Sequence, residues 1–527
     1  MKLEYAIELE GGFRLNGSAE LDGRCFYLRP TLPEGKIKSV TAWINIAMAE
    51  DERFFVNGYQ TWTYCPEQGK HDYTRGVGKL PEFVINKFGI DRYGDYFFVD
   101  YPQTPGIMHG ESYCYFRLGG KYRLFASLDE RPGYTMLRYD SRRGVLTISR
   151  DCAGVRCGGE FAALELYCAE GGEDEVFDGW FAAMGVKNRG AARLCGYSSW
   201  YNRYQNIDEE SIMGDLRGCM KHMKPGDLFQ IDDGWEPFVG DWLEADAKKF
   251  PSGLMTAAKD IHERGFLAGL WLAPFVCQKD SAIFHEHRDW LLMHDGKPWY
   301  CGSNWGGFYA LDIDNPEFVA YLEKVFDRVL NNWGFDLVKL DFLYAAAPFG
   351  DERESRAGRM TRAMELLRRL CGDKLILGCG VPLMPSFGLV DYCRISCDVG
   401  LDWDNNFIMR RTNREYVSTR HAIGNTISRR QLDGRAFGSD PDVFFLRENN
   451  IRLTKADKYK LAVVNGLFGT LFLTSDNMGD YGEEADELYE RLRTLDRAEN
   501  VRVETDCGLT VYYDVDGIEQ VLEIERK

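Results

Sequence analysis

The sequence predicts a multidomain fold of the α/β plus β type, with a central (β/α)8 TIM barrel, an N-terminal β-sandwich and a short C-terminal β appendage. The prediction depends on how apolar residues are spaced along the 527 residues. Residues 1–185 read as short strands, residues 186–498 as apolar runs alternating with amphipathic helices, and residues 499–527 leave room only for a few strands. Strands that alternate with helices are typical of a parallel sheet wrapped by helices.

The N-terminal segment is predicted to be an antiparallel β-sandwich, because its strand-like runs recur about every ten residues between Gly, Asp and Pro. The runs are RCFYLRP, SVTAWINIAM, SYCYFRL, YRLFASL, TMLRYD and GVLTISR. At the other end of the chain, VRVET, LTVYYDV and VLEIE are predicted to form the C-terminal β segment.

Eight apolar runs are predicted to be the parallel strands, and eight is the strand number of a closed α/β barrel. They are LCGYSSW (194–200), DLFQIDD (227–233), FLAGLWLA (266–273), DLVKLDF (336–342), KLILGCG (374–380), YCRISCD (392–398), AFGSDPD (436–442) and TLFLTSD (470–476). Helices are predicted between them at 207–223, 254–265, 315–334 and 357–372, with a last one at 483–497.

The charge balance excludes two classes of partner. The chain has 64 Lys and Arg against 82 Asp and Glu, a formal net charge of −18. A surface of that sign repels nucleic acid and anionic membranes, so we expect neither as a partner. Aromatic residues make up 14% of the chain, and together with the excess of acid this favours a neutral, ring-shaped ligand. A homo-oligomer is compatible with this composition.

The sequence predicts a cytoplasmic protein with reduced cysteines, no metal and no cofactor. Its N-terminus is acidic where a signal peptide needs an apolar run, and no stretch approaches the ~18 consecutive apolar residues of a membrane span. The 15 Cys residues are scattered without paired spacing, which favours buried thiols over a disulfide framework. The Cys and His residues also lack the spacing of a zinc site.

Acidic residues follow most of the predicted strands, and this clustering is the main functional signal. They are Asp232, Asp233, Asp341, Asp398, Asp440, Asp442 and Asp476, with Asp312 and Asp314 in a long loop after the third strand. Because the C-terminal ends of barrel strands open on one face, we expect these carboxylates to ring one pocket. The alternative for any single Asp is a helix cap or a turn.

Two ionisable carboxylates on one rim, beside aromatic residues, suit glycoside hydrolysis. One carboxylate attacks the anomeric carbon, and the other donates a proton and later removes one. Trp200, Trp235, Trp242 and Trp271 lie at or just beyond the ends of the first three strands, where aromatic faces could stack on a sugar. A core position is the alternative for each Trp.

Six longer motifs have a familiar order and spacing. They are QIDDGWEPFVGDWLEADAKKFPSGL, IHERGFLAGLWLAPFV, SAIFHEHRDWLL, FDLVKLDFLYAAA, GCGVPLMPSFGLVDYCRISCDVG and GSDPDVFFLR. Over residues 57–476 the chain resembles glycoside hydrolase family 36, the bacterial α-galactosidases of clan D. The resemblance implies a (β/α)8 barrel flanked by an N-terminal β-supersandwich and a C-terminal β domain. It also implies hydrolysis with retention through a covalent glycosyl-enzyme.

The resemblance further implies roles for single residues. Asp341 matches the nucleophile of the family and Asp398 the acid/base. Asp232 and Asp233 match the carboxylates that bind the axial 4-hydroxyl and the 6-hydroxyl of galactose. Further matches to sugar-contacting positions are Lys339, Arg394, Trp200, Trp271 and, in the segment NGYQTW, Trp62.

The chain departs from many family members beside the anomeric centre. It has KLDFLY where those members have KWDMNR, ISCDV where they have WTSDN, and WLAPF where they have WFEPE. We expect a retaining α-galactosidase acting on small oligosaccharides of the melibiose and raffinose type. The alternatives on the same barrel are an α-N-acetylgalactosaminidase, an α-glucosidase or a galactosyl-transferring enzyme. A non-catalytic carbohydrate-binding protein is the alternative of another class.

Overall fold

The structure is a computed structural model that describes residues 1–526 apart from residues 22, 79, 407–408, 412 and 506–507. It contains a TIM-like domain with a β-rich region before it. In the part of the chain described, no helix combines the length and apolar character needed to cross a bilayer.

Two antiparallel sheets make up the β-rich region. One has the spatial order Arg14–Glu20, Lys2–Leu9, Thr31–Asn45, Val145–Asp151, Tyr134–Asp140 and Ile107–Glu111, with Arg156–Glu160 paired beside Thr31–Asn45. The other has the order Cys25–Leu28, Leu164–Gly171, Lys121–Ser127, Tyr113–Leu118 and Arg53–Val56. Every N-terminal run predicted from the sequence overlaps one of these strands, and those predictions are confirmed.

A curled sheet of parallel strands forms the centre of the TIM-like domain. In spatial order its strands are Gly438–Asp440, Tyr392–Arg394, Leu375–Gly378, Leu337–Leu340, Leu267–Leu272, Leu228–Ile231, Leu194–Ser198, Leu471–Thr474 and Val443–Phe444. Each of the eight predicted runs contains a strand of this sheet. The strands are shorter than predicted, and their acidic residues lie in the loops that follow, except for Asp440, which ends the strand Gly438–Asp440.

The single strand predicted at 436–442 is observed as two short strands. Gly438–Asp440 pairs with Tyr392–Arg394, whereas Val443–Phe444 pairs with Leu471–Thr474. Pro441 has no N–H to donate to a ladder, and Asp442 adopts a left-handed φ of 73°. The break turns the carboxylates of this run towards the neighbouring strand end.

Helices alternate with the parallel strands. The predicted ones are observed as Glu209–Cys219, Leu254–Glu263, Pro316–Phe326, Arg356–Cys371 and Glu483–Arg493. Helices that the sequence did not predict are Glu173–Met184, Thr419–Ser428 and Lys455–Phe468, together with the short Glu82–Phe88, Trp200–Arg203 and Ala282–Glu286. In Thr419–Ser428 most side chains are buried on every side, so no amphipathic stripe marks the helix in the sequence.

The C-terminal segment forms a three-stranded antiparallel sheet of Glu499–Glu504, Gly508–Val515 and Ile518–Arg526. The three predicted strands are confirmed. Residues 506, 507 and 527 of this segment lie outside the described residues.

A fully buried arginine ties the β-rich region to the TIM-like domain. Arg429 donates from Nε to Asn57 Oδ1 at 3.1 Å, from Nη2 to the carbonyl of Gln60 at 3.1 Å, and from Nη1 to the carbonyls of Thr61 and Ile395 at 2.6 and 2.9 Å. The NGYQTW segment is thereby held against a strand end of the parallel sheet.

We expect Arg429→Met to lower the free energy of unfolding by about 3–5 kcal/mol, because four buried acceptors lose a charged donor. Urea denaturation followed by tryptophan fluorescence measures this change. The matched control is Arg131→Met, whose side chain is 64% exposed and pairs with Glu365 on the surface, with an expected cost below about 1 kcal/mol. Equal costs for the two variants would contradict the role given to Arg429.

Candidate active site

One cavity of about 760 Å³ opens at the C-terminal ends of the parallel strands. Of the nine residues predicted from the sequence, eight line it: Trp62, Trp200, Asp232, Asp233, Trp271, Lys339, Asp341 and Asp398. Arg394, the ninth, is not in the cavity wall and lies beneath it at 3% exposure. The geometry therefore gathers the carboxylates into one site, as the order of the strands predicted.

Asp341 follows Leu337–Leu340 and has both carboxylate oxygens held. Trp271 Nε1 donates to Oδ2 at 3.1 Å, and the amide of Phe342 donates to Oδ1 at 2.8 Å. Burial raises the pKa of Asp341, while the ammonium of Lys339 and the bond from Trp271 lower it. Phe342 adopts a left-handed φ of 54°, which is uncommon for a bulky residue and typical of strained functional sites. The loop thus directs one carboxylate into the cavity.

A buried guanidinium holds the side chain of Asp398. Arg394 Nη1 donates to Asp398 Oδ1 at 2.8 Å, and the side chain of Asp398 remains 35% exposed. The same guanidinium donates from Nε to Asp440 Oδ2 at 2.8 Å and pairs through Nη2 with Asp442 Oδ1 at 3.0 Å. The sequence predicted that Arg394 contacts the sugar, whereas in this structure its contacts go to these three carboxylates. We therefore assign Arg394 to the positioning of Asp398.

Asp442 has a raised pKa, and this reduces the negative charge around Arg394. Burial raises its pKa to about 7, against the lowering effect of Arg394 and with further raising by Asp398. Tyr201 Oη and the amide of Val399 both donate to Asp442 Oδ2, at 2.5 and 2.9 Å. Asp440 and Asp442 were predicted to lie on the rim. They lie instead behind Asp398, as its support.

Asp232 is part of a buried network. Its Oδ2 accepts from Lys339 Nζ at 2.8 Å and from Gln230 Nε2 at 2.7 Å, and Ser198 Oγ lies at 3.4 Å. Its Oδ1 accepts from the amide of Asp233 at 3.0 Å. The ion pair of Lys339 is with Asp232, so this lysine fixes the orientation of a cavity carboxylate and lowers the pKa of Asp341 from further away.

Asp233 is held by a different set of donors. Gln205 Nε2 and Trp305 Nε1 donate to its Oδ2 at 2.8 and 2.9 Å. The carboxyl of Glu236 lies beside that of Asp233 and affects its pKa. Burial, followed by the charge of Asp233, raises the pKa of Glu236 well above its ordinary value. The raised pKa favours the protonated form of Glu236 beside Asp233.

The aromatic residues divide between the cavity and the core. Trp62, Trp200 and Trp271 line the cavity. Trp235 and Trp242 are fully buried, and Trp235 Nε1 donates to the carbonyl of Trp271 at 2.9 Å. The sequence placed these two residues on the rim with the others, and that prediction is wrong. The sequence could not separate these two residues from the other Trp residues, because a Trp at a strand end can lie either in the core or in a pocket wall.

Asp312, Asp314 and Asp476 were predicted to lie on the rim, but none of them lines the cavity. Asp312 and Asp314 pair with Arg359 at 2.6 and 2.5 Å. Asp476 is fully buried, and its Oδ2 accepts from the amides of Leu446 and Arg447. The partners of the three are thus an arginine side chain or the amides of another loop.

Sequence reasoning missed several polar residues of the site. Glu236 directly follows the DDGW motif, so an acidic residue at that position could have been predicted to belong to the site. Gln205 and Trp305 come from loops far apart in sequence, and Trp305 has a left-handed φ of 53°. No local pattern marks either of them, because only the fold brings them to Asp233.

We expect the stability of the wild-type protein to fall relative to Glu236→Gln as the pH rises above about 5. The raised pKa of Glu236 means that the folded chain binds a proton that the unfolded chain has released. Its stabilising contribution is therefore lost as the pH rises towards the folded-state pKa, by up to about 1.4 kcal/mol per pH unit. Urea unfolding of both proteins at several pH values between about 5 and 8 measures the difference.

Glu263→Gln is the matched control, because Glu263 is 58% exposed at the end of a helix. Its difference from wild type is expected to stay within about 0.5 kcal/mol across the same range. A pH-independent difference for Glu236→Gln would show that Glu236 is not a buried protonated acid.

Comparisons with known proteins agree with the motifs. A profile of the melibiase family matches residues 197–366. An α-galactosidase from Escherichia coli is 32% identical over 151 residues, which is 27% of this chain and 21% of that protein. An A type blood α-D-galactosamine galactosaminidase from Flavonifractor plautii is 33% identical over 124 residues, which is 22% of this chain and 11% of that protein. The chain thus matches only a minor part of the length of these curated relatives.

A solved structure is similar over nearly the whole chain. An α-galactosidase from Thermus thermophilus, in complex with p-nitrophenyl α-D-galactopyranoside, is 26% identical, with a TM-score of 0.74 over 98% of each chain. The family 36 α-galactosidase AgaA from Geobacillus stearothermophilus shares the fold at 14% identity, with a TM-score of 0.58 over 97% of this chain and 80% of that one. Together with the motifs and the cavity, these matches support the resemblance of the chain to glycoside hydrolase family 36.

Proposed function

We propose that the protein is a retaining α-galactosidase that removes terminal α-galactosyl residues from small oligosaccharides of the melibiose and raffinose type. The observation that carries the proposal is the convergence of Asp232, Asp233, Asp341 and Asp398 on one cavity. The activities named for the relatives and for the Thermus thermophilus structure support galactose as the sugar.

In the proposed first step, Asp341 attacks the anomeric carbon while Asp398 protonates the leaving oxygen. The bond between the anomeric carbon and the leaving oxygen breaks as a covalent galactosyl-aspartate forms. The donors from Trp271 and Phe342 favour the ionised form of Asp341. Both carboxylate oxygens keep lone pairs beyond those two bonds, so the group can act as a nucleophile.

In the proposed second step, Asp398 removes a proton from water as that water attacks the galactosyl-aspartate. The 35% exposure of Asp398 supports access of water to this carboxylate. Among the described residues its partner is one guanidinium, at Oδ1, so Oδ2 can exchange a proton with the leaving group and the water. No step needs a metal ion, and we expect full activity in the presence of EDTA.

Recognition of galactose is proposed to depend on Asp232 and Asp233. Lys339 and Gln230 orient Asp232, and Trp305 orients Asp233. Carboxylates held in this way are prepared to accept hydrogen bonds from two neighbouring hydroxyls, without a rotamer search when the sugar binds. Trp62, Trp200 and Trp271 are proposed to contact the same sugar.

The architecture proposed for this function is a closed (β/α)8 barrel over residues 186–498, an N-terminal β-supersandwich over residues 1–185 and a C-terminal β segment over residues 499–527. The two halves of the split run support closure. Gly438–Asp440 pairs with one neighbouring strand and Val443–Phe444 with the other, so together they fill the eighth position. A cytoplasmic location remains part of the proposal.

An α-N-acetylgalactosaminidase is the second candidate, because one matched relative is named for an α-D-galactosamine substrate. The two candidates differ in the substituent at C2. A panel of p-nitrophenyl α-glycosides of galactose, N-acetylgalactosamine and glucose separates them, and product analysis with added sucrose tests for galactosyl transfer. Turnover of the galactoside above the other two supports the first candidate.

We expect Asp341→Gly to lose hydrolysis of p-nitrophenyl α-galactoside by at least about 10³-fold, because the covalent intermediate cannot form. Added azide fits the space left by the carboxylate and should restore turnover with β-galactosyl azide as the product. Analysis of the product by NMR identifies the anomer. Absence of any rescue in a folded variant would count against Asp341 as the nucleophile.

We expect Asp398→Gly to show a loss that depends on the leaving group. Hydrolysis of melibiose should fall by about 10²–10⁴-fold, since the sugar alcohol needs protonation. Formation of the intermediate from a 2,4-dinitrophenyl galactoside should be much less affected, and azide should yield the α-galactosyl azide. The same fractional loss on both substrates would exclude Asp398 as the acid/base.

A further inference from the structure

A hairpin turn beside the cavity holds a tryptophan in a strained conformation. The turn, Asn304–Gly306, joins the antiparallel strands Tyr300–Gly302 and Phe308–Ala310. Trp305 adopts a left-handed φ of 53°, which is uncommon for a bulky residue because it costs free energy. Such a conformation persists only where the surrounding structure holds it, and these positions cluster at functional sites. The contacts of this turn therefore indicate what the strained residue does.

Trp305 connects the turn to a sugar-binding carboxylate and to the loop of the nucleophile. Its Nε1 donates to Asp233 Oδ2 at 2.9 Å, and its ring packs against Phe342 with 4.9 Å between the ring centroids. Burial raises the pKa of Asp233, and the bond from Trp305 lowers it. The position of the indole thus decides whether Asp233 keeps one of its charge-assisted hydrogen bonds.

Tyr93, from the β-rich region, holds the same turn from the other side. Its Oη donates to Oδ1 of Asn304, the first residue of the turn. A Cβ added to Gly302 would overlap Tyr93 Oη, so the strand before the turn leaves space for the phenol. The carbonyl of Tyr93 accepts from Gln60 Nε2 at 2.7 Å, and Gln60 belongs to the NGYQTW segment. A continuous series of contacts therefore runs from that segment to Asp233.

We propose that Tyr93 is a positioning residue for the binding of the sugar. Its phenol fixes the Asn304–Gly306 turn, and the turn holds the indole of Trp305 on Asp233. A carboxylate that is fixed before the sugar arrives loses less conformational freedom on binding. The β-rich region thereby acts on a carboxylate of the TIM-like domain. The inference rests on the proposed function and adds to it a residue outside that domain.

The phenol of Tyr93 should act on affinity for the sugar more than on the chemical step. The carboxylate of Asp341 accepts from Trp271 Nε1 and from the amide of Phe342. These donors differ from the phenol of Tyr93, so the nucleophile keeps its hydrogen bonds when the phenol is removed. We therefore expect weaker binding of the sugar with a nearly unchanged kcat.

The test removes single donors while keeping the aromatic rings. Trp305→Phe should lower kcat/KM for p-nitrophenyl α-galactoside by about 10–100-fold, because Asp233 loses a charge-assisted donor. Tyr93→Phe should lower it by about 3–10-fold, because the turn loses a neutral hydrogen bond. The inhibition constant of galactose should rise by similar factors. The kcat of Tyr93→Phe should stay within about threefold of wild type, which also reports that the variant is folded.

The double variant separates positioning from direct contact with the sugar. If Tyr93 acts through Trp305, removing its phenol from the Trp305→Phe protein should change kcat/KM by less than about twofold. Two independent contacts with the sugar would instead give multiplied losses, about 30–1,000-fold in total.

Tyr300→Phe is the matched control. Tyr300 lies on the strand before the same turn, and its Oη donates to the carbonyl of Lys87 at 3.2 Å. Removing this phenol should leave kcat/KM and the inhibition constant of galactose unchanged.

Three results would overturn the positioning role while the proposed function stands. They are multiplied losses in the double variant, an unchanged kcat/KM in Tyr93→Phe, and a fall in kcat without any change in inhibition by galactose. A wild-type protein that neither hydrolyses the galactoside nor binds galactose would overturn the proposed function, and the positioning role with it.

Discussion

The geometry of the site depends first on one buried guanidinium shared by three carboxylates. Arg394 connects Asp398 to Asp440 and Asp442. Breaking a buried ion pair by removing one partner leaves an uncompensated charge, so such a cluster keeps its geometry even where its net contribution to stability is small. Asp398 thereby stays in place while more than a third of its side chain remains open to solvent.

Asp442, one of the carboxylates around Arg394, has two unusual features. Asp442 has a left-handed φ of 73°, and burial raises its pKa to about 7. A protonated or partly protonated Asp442 reduces the repulsion among the carboxylates. The break in the strand at Pro441 turns Asp442 towards Arg394. The shifted pKa of Asp442 thus follows from its burial and from the neighbouring carboxylates Asp398 and Asp440, against the lowering effect of Arg394.

A second constraint joins the β-rich region to the TIM-like domain. Arg429 caps the carbonyls of the NGYQTW segment, and Arg414 bonds Tyr101 and Asp95. Both arginines come from the TIM-like domain, and both hold segments of the β-rich region beside the cavity. Trp62 enters the cavity wall for this reason, and Tyr96 reaches Glu415. The N-terminal region therefore completes the site rather than standing apart from it.

How far the sequence could predict this site depends on the kind of information each residue carries. The positions of Asp232, Asp233, Asp341 and Asp398 follow from the order of the strands, because side chains after parallel strands share one face. The separation of Trp235 and Trp242 from Trp271 could not be predicted, because it depends on packing between side chains. Glu236 lies beside a recognised motif, whereas Trp305 reaches Asp233 only through a long loop.

The sequence by itself determined the class of fold, the eight strand positions and the set of acidic residues from which the site is built. Hydrophobic periodicity and strand order are local properties that the chain carries without its fold. Only the tertiary structure decided which acids share Arg394 and which one Lys339 pairs with. These are decided by contacts between residues far apart in the chain, since burial and hydrogen bonding depend on the whole environment of each group.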